Sequence, residues 1–80
     1  MTYRERIKYT RLLYGIGQKE IGQALGTSKQ YISMIENNKT EATDDKLIEI
    51  INMVYKLGEA KKQGRLEEVT EDLVKINKEK

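Results

Sequence analysis

The chain has 80 residues, with 15 Lys+Arg against 13 Asp+Glu and no Cys, His, Pro, Trp or Phe. One small domain is expected, and the missing Cys and His remove disulfides, thiolate zinc sites, the commonest metal ligand and the commonest general base. Metalloenzymes and nucleophile–His dyads are therefore excluded, and no metal or cofactor is expected. Apolar runs such as Leu12–Leu13 and Ile50–Ile51 fall far short of the about 20 residues a bilayer requires. Lys8, Tyr9, Thr10 and Arg11 stand where a signal peptide would be apolar, so the expectation is a cytoplasmic domain that does not enter membranes.

Apolar residues recur at spacings of three and four with no sustained alternation, which predicts an all-helical chain. A first helix is expected over about residues 3–14, with Tyr3, Ile7, Thr10 and Tyr14 on one stripe and Gly15 as its stop. A second over about 18–25 carries Ile21 and Leu25 and ends at Gly26, which suits a left-handed terminus. Thr27 or Ser28 can cap a third helix reaching about Asn37, and Asn37–Asn38 can end it because Asn tolerates positive φ. A fourth should start near Thr43, with Asp44 and Asp45 at the positive end of its dipole and Leu47, Ile50, Ile51 and Val54 buried. Gly58 and Gly64 bracket a charged segment where a break is expected. A fifth helix would then carry Leu66, Val69, Leu73 and Ile76 as its apolar stripe, with acids early and lysines late.

Two short helices joined by a glycine-containing turn form a helix-turn-helix. The string GQKEIGQALGTSKQYISMIENNK resembles the phage-repressor (Cro-like, XRE-type) helix-turn-helix family, with Gln18, Ile21, Leu25, Gly26, Ser28, Ile32, Ile35 and Glu36 at that family's characteristic places. The likeness covers about residues 5–57. It implies a compact, all-α, lambda-repressor-like fold, five helices in all with the C-terminal one counted, whose DNA-binding domain spans residues 1–58. Residues 59–80 are read as a helical extension for dimerisation or packing. The chain departs from the family pattern at Gly17, Gly22, Asn38, Glu41 and Ala42.

A helical wheel at about 100° per residue tests the third helix independently. With Ile32 at zero, Ile35 and Tyr31 fall at about 300° and 260°, while Ser33, Asn37, Gln30 and Met34 fall at about 100–200°. That outer face is polar and uncharged apart from Lys29 at its start. Ordinary solvated faces carry Glu and Lys instead, whereas Lys can donate to guanine and Gln can pair with adenine. Charge agrees: residues 1–40 hold seven basic and three acidic residues, a net +4, while residues 41–80 hold eight basic and ten acidic, a net −2.

The resemblance implies base contacts by Lys29, Gln30, Ser33 and Met34, and phosphate contacts by Gln18, Ser28, Asn37 and Lys39. Arg11 follows Ile7 by one turn on the inner side of its helix, and Glu36 lies at about 40° on the wheel, so each is the other's candidate partner. The family commonly pairs these two positions. Leu12 and Leu13 require a cover, which the stripe Leu66, Val69, Leu73 and Ile76 would supply within one chain or across a homodimer. The expected activity is sequence-specific binding of double-stranded DNA at a palindromic operator by a transcriptional regulator, a repressor. The competing reading is an antitoxin-like interaction module whose C-terminal stripe holds a partner protein. An enzyme is not expected: Asp44/Asp45 and Glu71/Asp72 are helix neighbours whose side chains diverge.

Overall fold

The computed structural model describes the backbone of residues 1–78 and the side chains of residues 1–64. Four helices follow one another: α1 (Tyr3–Tyr14), α2 (Gln18–Leu25), α3 (Lys29–Glu36) and α4 (Asp44–Lys78). Local chemistry sets their starts. Thr2 Oγ1 accepts from the Glu5 amide at 3.2 Å while the Glu5 carboxylate accepts from the Thr2 amide at 3.4 Å, a capping box ahead of α1. Thr43 Oγ1 accepts from the Lys46 amide at 3.2 Å, and Asp44 and Asp45 occupy the first turn of α4.

The core joins all four helices. Ile7 of α1, Ile21 of α2, Ile32 and Ile35 of α3, and Ile50 and Val54 of α4 are fully buried, with Leu47 and Ile51 beside them. Each such side chain contributes about 1.5–3 kcal/mol on burial. Ile16, in the link between α1 and α2, is also buried, although no helical stripe predicted it.

α1 and α4 lie side by side and run the same way: Thr2 and Tyr3 flank Asp44 and Leu47 at one end, and Tyr14 lies over Gly58 at the other. There the Tyr14 hydroxyl donates to Glu59 Oε1 at 2.6 Å, and Lys61 Nζ donates to the Gly15 carbonyl at 2.6 Å. The Tyr14 ring meets Tyr55 edge-on, with centroids 6.2 Å apart. The hydrogen bond to the Glu59 carboxylate raises the Tyr14 phenol above its ordinary pKa, and desolvation pushes the same way.

The expected fifth helix is a correction. α4 runs unbroken through Gly58 and Gly64, so the described residues hold four helices. The physical reason at Gly58 is space: a Cβ there would overlap the Tyr14 ring. Its glycine accommodates a neighbour and does not stop the helix. Gly64 has no such neighbour and sits inside the helix at a propensity cost of about 1 kcal/mol relative to Ala. Leu12 and Leu13 remain 54% and 88% exposed. The side chains of Leu66, Val69, Leu73 and Ile76, their expected cover, lie outside the described residues.

Candidate nucleic-acid interface

α2, the turn and α3 form the helix-turn-helix, and two glycines make the turn tight. Gly26 closes α2 at φ 71°, a conformation that disfavours a β-carbon, and the Thr27 amide donates back to the Gly22 carbonyl at 2.7 Å. Gly22 itself is buried under the turn. A Cβ there would stand 2.9 Å from the Ser28 carbonyl carbon and 3.0 Å from two backbone oxygens.

Ser28 caps α3, its Oγ accepting from the Tyr31 amide at 3.1 Å. The cap uses the hydroxyl only as an acceptor, so its proton remains able to donate to a phosphate. The far end of α3 is held three ways. Asn38 at φ 57° reverses the chain, and the Lys39 amide donates to the Met34 carbonyl at 2.8 Å. Arg4 Nη1 donates to the Ile35 carbonyl at 3.0 Å, a tie between α1 and α3 that sequence reasoning missed. Arg11 provides the third. Its Nε and Nη2 each donate to one carboxylate oxygen of Glu36 at 2.9 Å, and its Nη1 reaches the Ile16 carbonyl at 3.3 Å.

The Arg11 and Glu36 side chains are only 14% and 2% exposed, so the charges meet away from solvent in a bidentate geometry. Gln18 joins them, its Nε2 donating to Glu36 Oε1 at 3.3 Å. Gln18, expected at a phosphate, thus stands at the start of α2 with its amide beside the carboxylate that ends α3. Gly17 offers no side-chain cap to that helix. Glu20 reaches back instead to accept from the Gly17 amide at 3.4 Å.

With its ends and inner face fixed, α3 turns Lys29, Gln30 and Met34 outward as exposed residues, with Ser33 half-buried beside them. Lys39 is exposed just past the helix. Asn37, expected at the phosphate backbone, is exposed at the end of α3, with its amide nitrogen 2.8 Å from the Ser33 carbonyl and 3.3 Å from its Oγ. Among the described residues no group of His, Cys, Asp and Glu could hold a metal ion, and no helix is long and apolar enough to cross a membrane.

Two short helices about a glycine turn, the second with its inner face in the core and its outer face polar, define a helix-turn-helix DNA-binding domain. The helix-turn-helix family matches over residues 7–53, more than half of the chain. The protein belongs to the XRE-type, Cro-like helix-turn-helix family. No curated protein and no solved structure matches it significantly. The family match supports a DNA-binding regulator.

Proposed function

We propose that this chain is a transcriptional repressor that lays α3 in the major groove of double-stranded DNA and binds a palindromic operator as a homodimer, in the cytoplasm. The observation that carries the reading is the outer face of α3. Lys29, Gln30, Ser33 and Met34 lie there, while the charges of Arg11 and Glu36 are satisfied by each other behind it. A face that offers donors and acceptors without fixed negative charge suits base edges. Ser28 and Lys39 flank it at its two ends, where backbone phosphates would pass.

A single module contacts few bases and phosphates, which supports pairing of two copies. Two-fold symmetry then sets the α3 helices about 34–36 Å apart, in successive grooves. Leu66, Val69, Leu73 and Ile76 are the proposed dimer contacts, with Leu12 and Leu13 receiving them. Selection of bound sites from a random DNA library tests the reading. Recovered sites should be symmetric, and Gln30→Ala should relax one position per half-site at a cost of about 1–3 kcal/mol on the best site. Recovery of no preferred sequence would overturn it.

The exposure of Leu12 and Leu13, the expected acceptors of the stripe, favours one alternative, an antitoxin-like module whose C-terminal apolar stripe holds a partner protein. A protein that stays monomeric at all concentrations and binds DNA without preference would favour that reading.

A further inference from the structure

The apolar positions of the tail continue an exposed side of α4, not its buried one. Continued at spacings of three and four, the buried line Ile51, Val54, Gly58 reaches Lys61, Arg65, Glu68 and Asp72, all charged. The line through Ile48, Asn52, Tyr55, Glu59 and Lys62 is exposed at each of these positions, with Ile48 at 39% and Tyr55 at 44%. At the same alternating spacing it reaches Leu66, Val69, Leu73 and Ile76. The backbone is helical along the whole line, which makes one seam of about four heptads, long enough for a pair of helices.

The chain's own body does not cover the tail end of this seam. Tyr14, at the end of α1, lies over Gly58, and about 30 Å of α4 follow beyond that point. Leu13 and Lys62 line one recess, so the seam runs beside the open leucines of α1.

We propose that the seam takes the α4 of a second copy, laid antiparallel in the register that sets Lys62 of each copy against Glu59 of the other. Leu66 then meets Tyr55, Leu73 meets Ile48, and Val69 meets Asn52, each twice by symmetry. Ile76 falls at the first turn of the facing helix. Glu59 has an oxygen to offer, since the Tyr14 hydroxyl donates to Oε1 alone. A parallel pair would stack Glu59 on Glu59 and Lys62 on Lys62, and like charges at a contact repel. An antiparallel pair shifted by one heptad would set Leu66 on Lys62 and Val69 on Glu59, apolar on charge. Pairing of the tails alone would leave Ile48 and Tyr55 open. It would also hold the two Ile51 positions about 60 Å apart along the axis, against about 29 Å in the proposed register. Half-sites one turn apart call for about 34–36 Å. This inference rests on the homodimer of the proposed function and adds where, and in which direction, the copies meet.

The chain has no Cys, so single introduced cysteines report which positions meet. Full-length Leu66→Cys is mixed with Tyr55→Cys, and Leu73→Cys with Ile48→Cys, and each mixture is oxidised and run on a non-reducing gel. Each mixture should give a covalent dimer that neither variant forms alone. Self-linking of Leu66→Cys would show a parallel pair, and its linking to Ile76→Cys in preference to Tyr55→Cys would show pairing of the tails alone; either overturns the proposal. A second arm leaves the apolar seam intact. Glu59→Lys and Lys62→Glu should each weaken dimerisation by about tenfold or more in sedimentation, and an equimolar mixture of the two should return to the parent, because opposite charges then face each other again. Single variants that dimerise as tightly as the parent would overturn the proposal, and this arm stands even if a cysteine variant fails to fold by circular dichroism. A parent that stays monomeric at all concentrations overturns the homodimer itself and this inference with it, whereas a parent that dimerises in another register overturns this inference alone.

Discussion

Arg11 of α1 and Glu36 at the end of α3 are 25 residues apart in the chain, and two hydrogen bonds of 2.9 Å join their side chains. Glu36 is nearly sealed from solvent, so removing it strands a guanidinium that is itself mostly buried. Breaking one partner of a buried pair costs about 3–5 kcal/mol. Glu36→Ala should therefore lower Tm by more than about 10 °C in a domain of this size. A melt within a degree or two of the parent would show that the pair contributes nothing.

Three glycines inside helices should answer substitution by alanine differently. Propensity alone favours alanine by about 1 kcal/mol. Gly64 has open space, so Gly64→Ala should raise Tm. Gly22 lies against the backbone of Thr27 and Ser28, which cannot swing aside, and Gly58 lies under the Tyr14 ring. Both substitutions should lose about 1–3 kcal/mol through overpacking. Thermal melts of the three variants check the order, and a stabilising Gly22→Ala would contradict the close packing of the turn.

Lys39 is exposed beyond α3 and forms no ion pair among the described residues. Lys39→Ala should weaken binding to every sequence alike and flatten the log–log salt dependence by about 0.9. Titrations at several salt concentrations provide the measurement. A change in which sequences are selected would place Lys39 on a base instead.

Dimerisation should depend on the apolar tail stripe and the open leucines of α1. Leu73→Asp and Leu13→Asp should each reduce the sedimenting mass and weaken operator binding while preserving most helicity, since Leu13 is almost fully exposed and supports no core. If both variants remain dimeric with undiminished affinity, the interface lies elsewhere.

Much of the fold was legible because each of the first three helices carries its own punctuation. Gly15 and Gly26 close two of them, and Ser28 opens the third. Gly58 was misread for the same reason. A glycine that ends a helix and one that makes room for a ring look alike in sequence, and only the approach of Tyr14 separates them. Within the site, the wheel separated the inner and outer faces of α3, and the inward placement of Arg11 and Glu36 pointed each to the other. The Gln18 and Asn37 amides were harder. Their phosphate roles come from position alone, and the intramolecular contacts of both depend on neighbours a turn or a helix away. Arg4 gave no signal, because a cation near a chain start resembles any solvated charge until the Ile35 carbonyl is brought beside it.

The way α3 is held has a consequence for how such a protein can change. Its inner isoleucines, the Ser28 cap, the Arg4 tie and the Arg11–Glu36 pair anchor the helix without using Lys29, Gln30 or Met34. Substitutions at those three positions face little penalty in folding, since exposed residues away from caps and networks usually shift stability by under about 0.5 kcal/mol. On the proposed groove reading of α3, target preference can therefore drift, or be exchanged by design, on a frame that stays constant.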